Sequence, residues 1–148
     1  MEAQPYGSAH NMLEFVKGAM AALQEEAAAY SPGVVIWMKV MAAVLFSGTL
    51  FAPVKAGARW ILVAALGTAF GLVLFKALLP DTSRTAIGTT IHLVLWPVVL
   101  AMVWKPGSRR QRREVPQSAF HRTYTVWLVA ASAIMAVSIL LDLKAALG

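Results

Sequence analysis

The sequence predicts an all-α membrane protein, a four-transmembrane-helix bundle with an N-terminal amphipathic helix. Three observations carry that expectation. Apolar residues make up 59% of the 148-residue chain and charged residues only 14%, against about 25% charged in an ordinary soluble domain. The apolar residues gather into four continuous runs, each close to the roughly 20 residues that a helix needs to cross a hydrocarbon core. Tryptophans stand at or near several run ends, at Trp37, Trp60, Trp104 and Trp127, where an interfacial aromatic belt places them. A soluble helix would need a polar face, and these segments lack one.

The spans are expected over residues 34–53, 60–80, 86–104 and 124–143, within a transmembrane domain of residues 34–148. Pro53 and Pro80 close the first two, and Lys105-Pro106-Gly107 closes the third. A chain in lipid must satisfy its own backbone hydrogen bonds, which leaves helices or closed barrels. The runs are continuous and do not alternate, so helices are predicted. Pro97 in the third run frees one backbone carbonyl and is expected to bend that helix.

Residues 1–33 form the tail. Met12, Val16, Ala19, Met20, Leu23, Ala27 and Tyr30 recur there at helical spacing, with Glu14, Lys17, Gln24 and Glu25 elsewhere on the helix. Asn11 is the expected N-cap and Glu14 its capping-box partner. Ser31-Pro32-Gly33 breaks the helix before the first span. The pattern predicts an amphipathic helix on the outer membrane surface or against a partner. The first residues carry neither the basic nor the apolar segment of a cleaved signal, so the spans are expected to direct insertion.

The net charge is +6. Most of the excess falls in residues 105–122, where it serves as an orientation signal, and no nucleic-acid partner is expected. Lys55 and Arg59 in the first loop share a side with Lys105, Arg109, Arg110, Arg112, Arg113 and Arg122 in the third. The positive-inside rule makes that side cytoplasmic and puts both termini outside, in a bacterial inner membrane. Arg109, Arg110, Arg112 and Arg113 are candidates for binding anionic lipid headgroups, at about 1 kcal/mol per basic residue near the surface. There is no cysteine, which excludes disulfides and thiolate chemistry.

Ionisable groups at membrane depth are costly and mark candidate sites. Each span contributes one: Lys39, Lys76, His92 and Asp142. Antiparallel neighbours would bring all four to similar depth as an intramembrane polar cluster. Otherwise the two lysines snorkel to the headgroups and Asp142 is wet at its helix end. For His92 the expected role is an interhelical hydrogen bond to a serine, threonine or carbonyl. The alternative is axial ligation of a tetrapyrrole, for which Gly88, one turn earlier, clears space beside the imidazole. Gly67 and Gly71 form a GxxxG pair for close helix packing, within the chain or with another.

The chain has no paired carboxylates at membrane depth, no nucleophile with a base and no two-histidine metal motif, so no catalytic residue and no metal set is assigned. The expected function is a non-catalytic accessory or assembly subunit of a larger membrane complex of an energy-converting kind, without a cofactor of its own. The alternatives are a small homo-oligomeric transporter or channel lined by His92 and the lysines, and a haem- or chlorophyll-binding protein using His92. The expected partners are the bilayer, its anionic lipids at residues 105–122, and other membrane subunits or a second copy.

Overall fold

The computed structural model describes residues 7–105 and 118–147, with side chains described from Asn11. Within them the chain forms five α-helices and no strand: α1 Gly7–Ala28, α2 Pro32–Phe46, α3 Ala56–Leu78, α4 Arg84–Val103 and α5 Ala119–Leu147. Four are long and apolar enough to cross a membrane, α2 counting with the 3-10 turn Ser47–Leu50 that continues it. The chain is an integral membrane protein of the all-α class. Arg109, Arg110, Arg112 and Arg113 lie outside the described residues.

Local chemistry sets the helix ends. Ser31 is extended and Pro32 begins α2, since proline has no N–H to lose in a first turn. At the other end the Ser47 and Thr49 hydroxyls donate to the Val44 and Phe46 carbonyls, at 2.7 and 2.9 Å. Those bonds accompany the tightening from α to 3-10 geometry. Ser83 caps α4 by accepting from the Ala86 N–H at 3.2 Å. α5 begins earlier than the sequence predicts, so His121 and Arg122, read as loop residues, lie in its first turns. Its 29 residues span about 42 Å at 1.5 Å per residue, more than the roughly 30 Å of a hydrocarbon core.

α3 and α4 form the most extensive helix pair, α5 packs on α4 and α2, and α2 leans on α3. Small residues permit the close approach: Ala58, Ala64, Ala65 and Gly71 on α3, Ala131, Ser132 and Ser138 on α5, all buried. The main core joins Leu45, Ile61, Trp96, Val99, Val103, Leu128 and Met135 with the alanines. The outward positions are as apolar as the core, with Phe70, Val94, Val126 and Leu140 each at least 65% exposed. In water such a surface would aggregate; in lipid it is solvated.

The Gly67 and Gly71 pair packs within the chain. A Cβ at Gly67 would stand 2.8 Å from Leu95 Cδ2, and one at Gly71 2.9 Å from Ile91 Cδ1. Both neighbours are α4 side chains. A more rigid obstacle faces Gly48, where a Cβ would stand 2.8 and 3.0 Å from Cζ2 and Cη2 of the Trp127 ring. Trp127 is not a free belt residue. Its Nε1 donates to the Val44 carbonyl and the Ser47 hydroxyl, both at 2.9 Å. Trp104 likewise donates to Ser132 at 3.0 Å.

α1 packs against α3 and touches α4. Ala19 and Leu23 are buried while Met12 and Met20 remain exposed, so only part of the predicted apolar face meets the bundle. Asn11 lies inside the helix and is not its cap, and Glu14 pairs with Lys17 at 2.9 Å.

Candidate functional site

The four intramembrane ionisable residues do not form one cluster. Lys76 belongs to the α1 contact. Its ammonium donates to Glu26, to the Pro80 carbonyl at 2.7 Å and to the Thr82 carbonyl at 3.0 Å. Three acceptors match its three donors, which is why a lysine only 6% exposed is tolerated where snorkelling was expected. Glu26 also accepts from the Arg84 backbone N–H, while the Arg84 guanidinium donates to the Leu23 carbonyl at 2.8 Å. The hydrogen bond from Lys76, then that from Arg84, holds the Glu26 carboxyl below its ordinary range. Tyr30 meets Thr85 at 3.0 Å and completes the junction. α1 is thus latched over the end of the bundle where α3 passes into α4.

His92 and Asp142 do come together. Nδ1 of His92 lies 2.7 Å from Oδ2 of Asp142, and Thr89 donates its hydroxyl to Oδ1 at 3.1 Å. Thr89 and His92 are neighbours on one face of α4, three residues apart, and both reach across to α5. The carboxylate is not simply wet at its helix end, and the histidine's partner is an acid and not the serine, threonine or carbonyl expected. Beyond His92 the polar contacts continue along α4. Its ring lies against that of Trp96, with centroids 3.9 Å apart and planes at 37°. Trp96 is buried, and its Nε1 donates to Thr68 at 2.9 Å, whose hydroxyl donates in turn to the Ala64 carbonyl at 2.8 Å. Every buried polar side-chain atom among the described residues has a partner.

Beside this chain of contacts a cleft of about 490 Å³ opens between α2, α3 and α4. Its walls are largely aliphatic. Besides Trp96, whose N–H is taken by Thr68, four polar residues are among its lining: His92 and Thr68 inside the bundle, Lys39 on α2 and Arg84 at the start of α4. Ala27 of α1 also lines it, so the latched helix covers part of its end. Lys39 is exposed and forms no ion pair or hydrogen bond among the described residues. Since Nδ1 of His92 is committed to Asp142, Nε2 is the nitrogen left for anything in the cleft. No group of three or more histidine, cysteine or acidic side chains among the described residues could hold a metal ion unaided.

A second polar contact marks the opposite end. Lys55 Nζ lies 3.5 Å from His121 Nδ1, and sits 5.3 and 5.9 Å from the ring centres of Tyr124 and Phe120. The ammonium can only donate, so it calls for an unprotonated Nδ1. The first loop and the start of α5 therefore meet at one end of the bundle, as an even number of crossings between them requires.

Compared with known proteins, the chain matches no family model, no curated sequence and no solved structure.

Proposed function

We propose that this chain is a non-catalytic membrane subunit that holds an amphipathic molecule, apolar in body and anionic at one end, in the cleft between α2, α3 and α4. The cleft carries the reading. An aliphatic pocket of about 490 Å³ with a few polar groups at fixed places has the size and lining usual for small-molecule sites. Arg84, at the start of α4, favours a negative end group near the membrane surface, while Lys39 adds a second cation and His92 one directional contact deeper in. Arg84 starts α4, and His92 stands about 12 Å along it at 1.5 Å per residue.

In this reading the membrane is a bacterial inner membrane. Lys55 and Arg59, with the basic residues 105–122, face the cytoplasm and bind anionic headgroups there. The cleft then lies in the outer half of the bilayer under α1, and both termini are outside. The chain serves a larger, energy-converting assembly as an accessory subunit. Supporting this is the apolar surface of α2, where Ile36 and Val40 are exposed on one side and Val34 on another, which a neighbouring subunit could cover.

Native mass spectrometry of the chain purified in mild detergent tests the proposal. A bound amphiphile should be retained by the natural chain and lost on Gly88→Leu. Gly88 lines the cleft, and a Cβ there would meet only Leu72 Cδ2, at 3.9 Å, so the larger side chain would extend into the space. Absence of any retained molecule from both proteins would overturn the reading.

A further inference from the structure

Resting on that reading of the cleft, we propose that its ligand is a metallo-tetrapyrrole, bound through its metal to Nε2 of His92 and through its carboxylates to Lys39 and Arg84.

The hydrogen bond from His92 to Asp142 is the first argument. Imidazoles that bind a metal through one nitrogen nearly always bond the other to a carboxylate, carbonyl or water, which fixes the tautomer and makes the ligand more basic. Here Asp142 takes Nδ1 at 2.7 Å and is itself steadied by Thr89 at 3.1 Å. An Nδ1–H donated to the carboxylate leaves a lone pair on Nε2. Among the described residues nothing hydrogen-bonds to that nitrogen, and His92 lines the cleft.

Shape is the second argument. Gly88 stands one turn from His92 on α4 and also borders the cleft. A Cβ at Gly88 would have a single neighbour within 4 Å, the Leu72 methyl at 3.9 Å, so open space lies on that side of the imidazole. Ala42, Ala65, Ala69 and Leu72 add small or aliphatic walls, suited to the faces of a flat macrocycle.

Charge is the third. A tetrapyrrole with carboxylate side chains needs cations at the end of its pocket nearer water. Lys39 is without a partner among the described residues, and Arg84 lines the cleft while using one terminal nitrogen on the Leu23 carbonyl. A guanidinium has five donors, so capacity remains. A macrocycle supplies four nitrogens itself, and one protein ligand is sufficient where no larger metal set exists.

The full-length chain in detergent should be titrated with hemin, and separately with a fluorescent fatty acid as an anionic amphiphile that has no metal. Hemin should bind one to one with a saturable shift of its Soret band. Asp142→Asn should weaken that binding by roughly 10- to 100-fold, the usual loss when a ligand's supporting partner is removed. His92→Gly should lose the shifted band and regain it with free imidazole, a rescue that a structural role for His92 does not provide. His121→Ala, at the other end of the bundle, should bind as the natural chain does. Gly88→Leu should exclude hemin, which keeps the test open if the His92 variant does not fold. No saturable shift, or an identical shift in His92→Gly, would overturn the tetrapyrrole. Fatty-acid binding that Gly88→Leu abolishes would then keep the broader reading, and absence of both bindings would sink the two together.

Discussion

Asp142 on α5 accepts a 2.7 Å hydrogen bond from His92 on α4 across fifty residues of sequence. It is an ion-pair-type contact between helices at membrane depth, and it joins two residues whose burial would be costly apart. His92→Asn keeps a donor facing the carboxylate, whereas His92→Leu leaves Asp142 with Thr89 alone. Thermal unfolding in detergent should show the leucine variant less stable by about 1 kcal/mol, the usual scale of polar contacts between membrane helices. A double-mutant cycle with Asp142→Asn should give a coupling of similar size. Additive losses from the two single variants would mean that the contact contributes nothing.

Gly48 should tolerate a side chain less well than either member of the GxxxG pair. The indole of Trp127, 2.8 Å from the added Cβ, is held by two hydrogen bonds and cannot turn aside. Gly48→Ala should cost about 1–3 kcal/mol, as overpacking does in cores. At Gly67 and Gly71 the obstacles are the ends of Leu95 and Ile91, which can change rotamer. Alanine's helix propensity, about 1 kcal/mol better than glycine's, offsets the remaining strain there. Denaturation midpoints should rank Gly48→Ala well below Gly67→Ala and Gly71→Ala. The reverse order would refute the account.

The contrast shows what sequence could and could not display. Four apolar runs and their proline stops were legible because lipid demands them at fixed length. The outward and inward faces were not, because in a membrane both are apolar and no amphipathic stripe marks the core. Glycine spacing drew notice at Gly67, while nothing around Gly48 announced that Trp127, 79 residues away, would lie on it. His92 and Asp142 were visible as costly residues, yet their pairing depends on the register of α4 against α5. Lys76 was misplaced for a related reason. Its acceptors come from Glu26 and from the Pro80 and Thr82 carbonyls of a loop, and no periodicity foretells a loop's carbonyl directions. Phe120 and Tyr124, close to His121 in the sequence, were a signal for the Lys55 contact, and the tryptophan belt did not include them.

α1 should come away from the bundle in acid. The Glu26 carboxyl is held below its ordinary value by Lys76 and the Arg84 N–H. A depressed carboxyl contributes stability that is present above the ordinary value of an unfolded glutamate, 4.5, and lost as pH falls through the lower folded value. Hydrogen exchange of α1 amides should therefore be slow and level at neutral pH, once corrected for intrinsic rates, and should accelerate below about 4.5. Glu26→Gln should show the fast exchange already at neutral pH. Protection unchanged by both treatments would mean that the apolar contacts of Ala19 and Leu23 hold α1 unaided.

Topology decides which half of the bilayer holds the cleft. Lys55 and His121 meet at one end of the bundle, while Glu26, Lys76 and Arg84 meet at another junction, one crossing away along α3. Lys55, Arg59, Lys105 and Arg122 all belong to the Lys55 end, which the orientation proposed above, from the positive-inside rule, turns to the cytoplasm. Reporter fusions at Gly107 should then report the cytoplasm, and fusions after Gly148 the outside. Under that arrangement a ligand reaches His92 from the outer leaflet, past Lys39 and the α1 latch. Membrane-impermeant labelling at a cysteine placed on Thr85 should accordingly proceed from outside in intact cells, and faster in Glu26→Gln if the latch shields that junction. Labelling only after the cells are opened would invert the protein, put the cleft in the inner leaflet and leave the basic loop on the wrong side for anionic cytoplasmic lipid.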